Sequence, residues 1–165
     1  MNRVDFEILL LEEQVAKAIE DERLLQNVIF KKNLSTEEAE IENWCQGVTD
    51  NVSRRIWAIF KQVKRICFLP CDKERRHVVL LVQGEENYIV DGTIRQFLPN
   101  ITKKVFRQKE YPLEIEEVQT WERGDTKAVL QLAPKKQTIE EWLKEIESDI
   151  SKIKESLRKG ANLFD

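Results

Sequence analysis

Only five glycines, four prolines and three cysteines occur among 165 residues, and histidine occurs once. So few breakers predict that regular elements dominate over long loops. Three cysteines are an odd number with no framework spacing, which argues against a structural disulfide in a chain expected to stay in the reducing cytoplasm. Cys67 and Cys71 are too few to hold zinc alone, and one histidine cannot complete the set without carboxylates, so no metal and no other cofactor is expected. The longest apolar runs, such as 8–11 and 78–82, are a handful of residues, where a bilayer span needs about 20. Asp5, Glu7, Glu12 and Glu13 surround the first apolar cluster, whereas a secretory leader needs a basic start and an unbroken apolar stretch. Neither a leader nor a membrane partner is therefore expected.

What is present is ordinary for a globular chain: 41% hydrophobic and 35% charged residues, at a length that suits one domain over 1–165. The net charge of −3 is unevenly spread. Residues 1–50 carry five basic and twelve acidic side chains, and residues 53–76 carry eight basic and two acidic. Such a basic stripe can meet nucleic acid or an acidic protein, but alternating Lys and Arg are more often a solvated face, and nucleic acid is not the expected partner.

Residues 4–31 repeat Val4, Ile8, Leu11, Val15, Ala18, Leu25 and Ile29 at helical spacing and predict a long amphipathic helix. Ser35 and Glu38 form a capping box that starts a second helix at Thr36. Gly47 leaves two readings open: the helix runs on to about Val63, or it ends near Glu42 and restarts at Trp44 with Asn43 as N-cap. The restart is the reading preferred here. From residue 64 the texture turns to β, with strands expected at 65–69, 77–83, 88–91, 101–107, 114–121 and 127–132, a helical turn at 93–97, and a hairpin signal at Gly124 and Asp125. The run 78–82 is apolar at both parities and predicts a central strand covered on both faces. Thr138 and Glu141 then cap a closing helix over 138–159, with Ile139, Leu143, Ile146, Ile150, Ile153 and Leu157 as its seam. The fold class is α+β: a helical part over 1–63, an antiparallel sheet over 64–132 and the closing helix.

Any mechanism that needs an imidazole must use His77, at the head of its apolar strand. The next strand closes on Asp91. Cys45 stands at or near a helix start, where free N–H groups and the helix dipole favour a thiolate and can bind an oxyanion. This order, in WCQGVTDNVS, RRHVVLLV and NYIVDGTIRQFLP, resembles the papain-like and transglutaminase-like thiol superfamily, including its small bacterial papain-fold toxin and deamidase branches. The resemblance spans about residues 43–99. It implies acyl transfer from a protein or peptide carboxamide, with Cys45 as nucleophile, His77 as general base and acid and Asp91 as orienter of the ring. Glu42 and Asn43 stand where many members carry a glycine or glutamine, and Gln46 is the substitute oxyanion donor.

Plainer readings stand beside this one. Trp44, Cys45, Val48 and Val52 share a helical face, so Cys45 suits a core; His77 can open a surface strand, and Asp91 before Gly92 is an ordinary turn pair. The alternative function is a non-catalytic interaction module that uses helices 4–31 and 138–159 or the basic stripe. Hairpin register separates these readings, because side chains alternate faces. A loop of 83–85 sets Asp91 opposite His77, a loop of 84–86 sets it opposite Val79 on the same face, and an even loop of 84–87 turns it away. An odd, bulged loop with Gly84 in a left-handed conformation is the expected form.

Overall fold

The computed structural model describes residues 1–35, 38, 45–71, 73–122, 130, 131, 137, 138, 140, 141 and 144. Helix α1 spans Arg3–Ile29, and the Asn2 side chain caps it by accepting a hydrogen bond from the Asp5 amide at 2.9 Å. Leu11, Val15, Ala18 and Ile19 are buried. Leu25 and Ile29 were expected on the same stripe, yet they are exposed, as are Leu24, Val28 and Phe30. The buried part of the stripe ends at Ile19, while Glu22 and Gln26 line a cleft with Cys67 and Val78 of the sheet.

The Ser35 box is formed, with the Glu38 amide on Ser35 Oγ at 3.3 Å and the Ser35 amide on Glu38 Oε2 at 3.4 Å. The start at Thr36 and the restart at Trp44 lie outside the described residues. Helix α2 spans Cys45–Ile56 and buries Val48, Thr49, Val52, Ser53 and Ile56. It stops at Ile56, short of Val63. The Ile59 and Phe60 amides both bond the Ile56 carbonyl, at 2.9 and 3.2 Å, and this turn drops Phe60 into the core.

The strands are β1 (Gln62–Pro70), β2 (His77–Gln83), β3 (Asn87–Val90), β4 (Val105–Arg107), β5 (Glu114–Glu122), β6 (Leu130–Gln131) and β7 (Gln137–Thr138). They pair in the order β4-β3-β2-β1-β5-β6, with β7 on β5, and every pairing is antiparallel. The strand expected over 101–107 is confined to Val105–Arg107. The turn at 93–97 is a short 3-10 helix over Ile94–Gln96. Gly124 and Asp125 lie outside the described residues, as does most of the closing helix; of the latter, the Thr138 cap bond to the Glu141 amide is formed at 3.1 Å, and Glu140, Glu141 and Lys144 are helical.

As its two-sided apolar sequence predicts, β2 is central. On one face Leu80 and Val82 pack with Val63, Tyr88, Val90 and the buried sides of α1 and α2. On the other, Val79 packs with Ile66, Phe68, Ile89, Phe106 and Tyr111. The β2–β3 register pairs Gln83 with Asn87 and Leu80 with Val90, so the loop is Gly84–Glu86. The loop is odd, but Gly84 is not left-handed. Its lack of a side chain serves a close approach: a Cβ there would overlap Glu7 Oε2, and both oxygens of the buried Glu7 carboxylate accept from the Glu85 amide at 3.0 Å. At the other end of the hairpin, a Cβ on Gly92 would stand 2.6 Å from Val48 Cγ1 and 3.3 Å from Val15 Cγ1. This glycine lets α1 and α2 close onto the chain just after Asp91.

Candidate active site

His77 opens β2 opposite Phe68 and is fully buried. Phe68 meets its ring edge-on at 5.7 Å between centroids, and Phe97 lies tilted at 4.6 Å. One step beyond the Leu80–Val90 pair, Asp91 falls opposite Val79, on the face His77 occupies. The diagonal is closed by a hydrogen bond of 2.7 Å between His77 Nε2 and Asp91 Oδ2. Asp91 is only 1% exposed, so it is no surface turn residue. Its Oδ1 accepts from the Thr93 amide at 3.2 Å, and its own amide donates to the Lys104 carbonyl at 2.8 Å.

Because a carboxylate only accepts, Nε2 carries the proton in this bond, and in the neutral ring Nδ1 is the acceptor. Among the described residues Nδ1 is buried with no hydrogen-bond partner. The Cys45 sulfur nevertheless lies close enough to raise the imidazole pKa both through a hydrogen bond and by charge. The thiol therefore stands near the ring without a formed hydrogen bond to it. Burial alone would push the His77 pKa down; the Asp91 carboxylate beside it, with Cys45 adding to the effect, lifts it to about 9.

Cys45 is the first described residue of α2 and is 8% exposed. Its helix is tied to the His77 end of β2 by Thr49 Oγ1, which donates to the Val78 carbonyl at 3.1 Å. Cys45 reaches solvent through a cleft of about 470 Å³, lined also by Glu22, Gln26, Gln46, Gly47, Cys67, Arg76 and Val78. The exposed Gln46 shares the cleft with the thiol. None of the three cysteines is in a disulfide. Burial pushes the Cys67 thiol up, an effect that the neighbouring Arg76 guanidinium opposes by charge and hydrogen bond.

The structure thus joins His77 to Asp91 by a hydrogen bond, sets Cys45 near the ring, and places Gln46 with Cys45 on a cleft whose lining does not include His77 or Asp91. Sequence reasoning missed Tyr111, whose hydroxyl donates to Asp91 Oδ2 at 2.6 Å. Burial and then the charge of Asp91 hold this phenol well above its ordinary pKa, so it stays a donor. A signal existed: a buried tyrosine needs a partner for its hydroxyl, and the chain has two tyrosines. Nothing near Tyr111 in the sequence names that partner. Compared with known proteins, the chain matches no family model, no curated protein and no solved structure.

Proposed function

We propose that this protein is a thiol-dependent acyl-transfer enzyme acting on a carboxamide of a protein or peptide, by hydrolysis, deamidation or transamidation. The observation that carries the reading is the buried His77–Asp91 bond of 2.7 Å whose ring has its second nitrogen unsatisfied and the Cys45 thiol beside it. The Cys45 thiol gives its proton to His77 Nδ1 as Sγ adds to the carbonyl carbon, and Gln46 supplies a hydrogen bond to the developing oxyanion from the cleft wall. His77 gives its proton to the departing nitrogen, and the C–N bond breaks to leave a thioester on Cys45. His77 then takes a proton from water or an acceptor amine, which attacks the thioester and releases the thiol. Asp91 orients the imidazole and balances its positive charge. This assignment accords with the resemblance to papain-like and transglutaminase-like thiol enzymes, and cysteines outside any disulfide suit a cytoplasmic setting.

The test is thiol reactivity followed by peptide mapping. Cys45 should be alkylated by iodoacetamide at pH 6 in the folded protein, ahead of Cys67 and Cys71, and His77→Ala should slow it by roughly tenfold or more. A Cys45 that stays inert until the protein unfolds, or that reacts equally fast in His77→Ala, overturns the reading.

A second reading, a non-catalytic interaction module, draws on the exposed Leu24, Leu25, Val28, Ile29 and Phe30 at the end of α1. The basic stripe supports it less, because Arg55 pairs with Asp21 and Arg65 with Asp50, while Arg76 lies in the cleft.

A further inference from the structure

Asp91 Oδ2 accepts two hydrogen bonds at once, from His77 Nε2 at 2.7 Å and from the Tyr111 hydroxyl at 2.6 Å. Thr93 holds the other oxygen at 3.2 Å. Three donors from three chain segments fix one buried carboxylate, and only one of them belongs to the ring it serves. The phenol is itself locked: Tyr111 is 7% exposed, and Phe68 and Phe106 meet its ring edge-on at 6.4 and 5.5 Å. Phe68 also meets the His77 ring at 5.7 Å, so phenol and imidazole share a wall as well as an acceptor.

A phenol that donates to a carboxylate oxygen draws off part of its negative charge, and an imidazolium bonded to the same oxygen is held less strongly as a result. We propose that Tyr111 is a positioning residue which shares Asp91 Oδ2 with His77 and thereby sets how firmly the carboxylate holds the ring in its protonated form. This deepens the acyl-transfer reading, since a ring held too firmly as imidazolium cannot take a proton from the attacking water or amine. Other charged or titratable groups near the ring are the Cys45 thiol, Arg75, whose guanidinium lies 5.9 Å over the Phe97 ring, and Cys67 and Arg76, which line the cleft with Cys45. None of these is among the His77, Thr93 and Tyr111 donors that the Asp91 carboxylate accepts from.

Because His77 is the only histidine, its ring resonances can be followed by NMR without ambiguity from pH 5 to 11. In Tyr111→Phe the His77 midpoint should rise by about half a unit or more relative to the parent, and the Nε2-bound proton should move downfield as its bond to Asp91 strengthens. A midpoint unchanged within about 0.2 units, or lower, overturns the proposal, since a tyrosine that only fills space would leave the titration where it is. If Tyr111→Phe does not fold, a Tyr88→Phe protein grown with 3-fluorotyrosine keeps the hydroxyl and makes it the stronger donor. There the midpoint should fall, and a rise or no change is contrary to the proposal. The same titrations in a Cys45→Ser background separate the two readings. Failure of the acyl-transfer reading shows in the alkylation rates of Cys45 and leaves the His77 shifts in place, while failure of the Tyr111 proposal shows in the shifts alone.

Discussion

At the scale of single residues, two opposing influences meet on His77: burial, which favours the neutral ring, and the Asp91 carboxylate, which favours the charged one. Asp91→Asn keeps an acceptor for Nε2 and removes the charge, so burial should then dominate. The His77 midpoint should fall from about 9 to below its ordinary 6.5, as NMR titration would show; a midpoint still near 9 would mean that some other group holds the proton. The raised pKa also links pH to stability. A folded pKa above the unfolded one contributes stability that is complete below about pH 6.5 and is lost as the pH climbs through about 9. The contribution is at most roughly 3 kcal/mol, and urea melts between pH 6 and 10 should show a decline that flattens in His77→Gln. Equal slopes in the two proteins would remove the linkage.

At the scale of elements, the hairpin is held at both ends by glycines that make room for the helices. Gly84→Ala sets a methyl group on the Glu7 carboxylate, and Gly92→Ala sets one on Val48 and Val15. Each should cost about 1 to 3 kcal/mol by chemical denaturation, but only Gly92→Ala should slow Cys45 alkylation, because Val48 is one helical turn beyond the thiol. Equal effects on the thiol from both variants would contradict this division. Much at this scale was legible beforehand: the two-sided apolarity of 78–82 gave a central strand, and Ser35 with Glu38 gave a real cap. The end of α2 was not, because no glycine or proline marks Ile56 and the turn is made by Phe60 finding the core. Gly84 was read as a turn glycine from its neighbours, whereas its reason lies in Glu7, far off in the chain.

At the scale of the whole molecule, the pairing of His77 with Asp91 was open to sequence reasoning because a hairpin is local and parity counts along it. Tyr111 was closed to it, since the contact depends on how a distant segment crosses the second face of the sheet. The exposed apolar end of α1 is also a whole-molecule property. If Val28 and Phe30 have no role in holding the fold, Val28→Ser and Phe30→Ser should shift the melting temperature by less than about 2 °C and leave Cys45 alkylation unchanged. A larger loss of stability would show that this face is covered in solution.

The grip of Glu7 on Glu85 joins positions 78 apart in sequence, and Glu12 reaches still further, its Oε1 accepting from the Val105 amide at 3.2 Å across 93 positions. Closing such loops early is entropically unfavourable, and neither acceptor has a donor to meet until the β2–β3 hairpin and β4 are in place. Helix α1 is therefore expected to dock after the hairpin and β4 have formed. In stopped-flow kinetics Glu7→Ala and Glu12→Ala should accelerate unfolding while leaving the folding rate nearly unchanged, and a slowed folding limb would instead make α1 part of the nucleus. Late docking would leave the face of the hairpin that α1 covers exposed to water until then, a state open to chaperones and to aggregation.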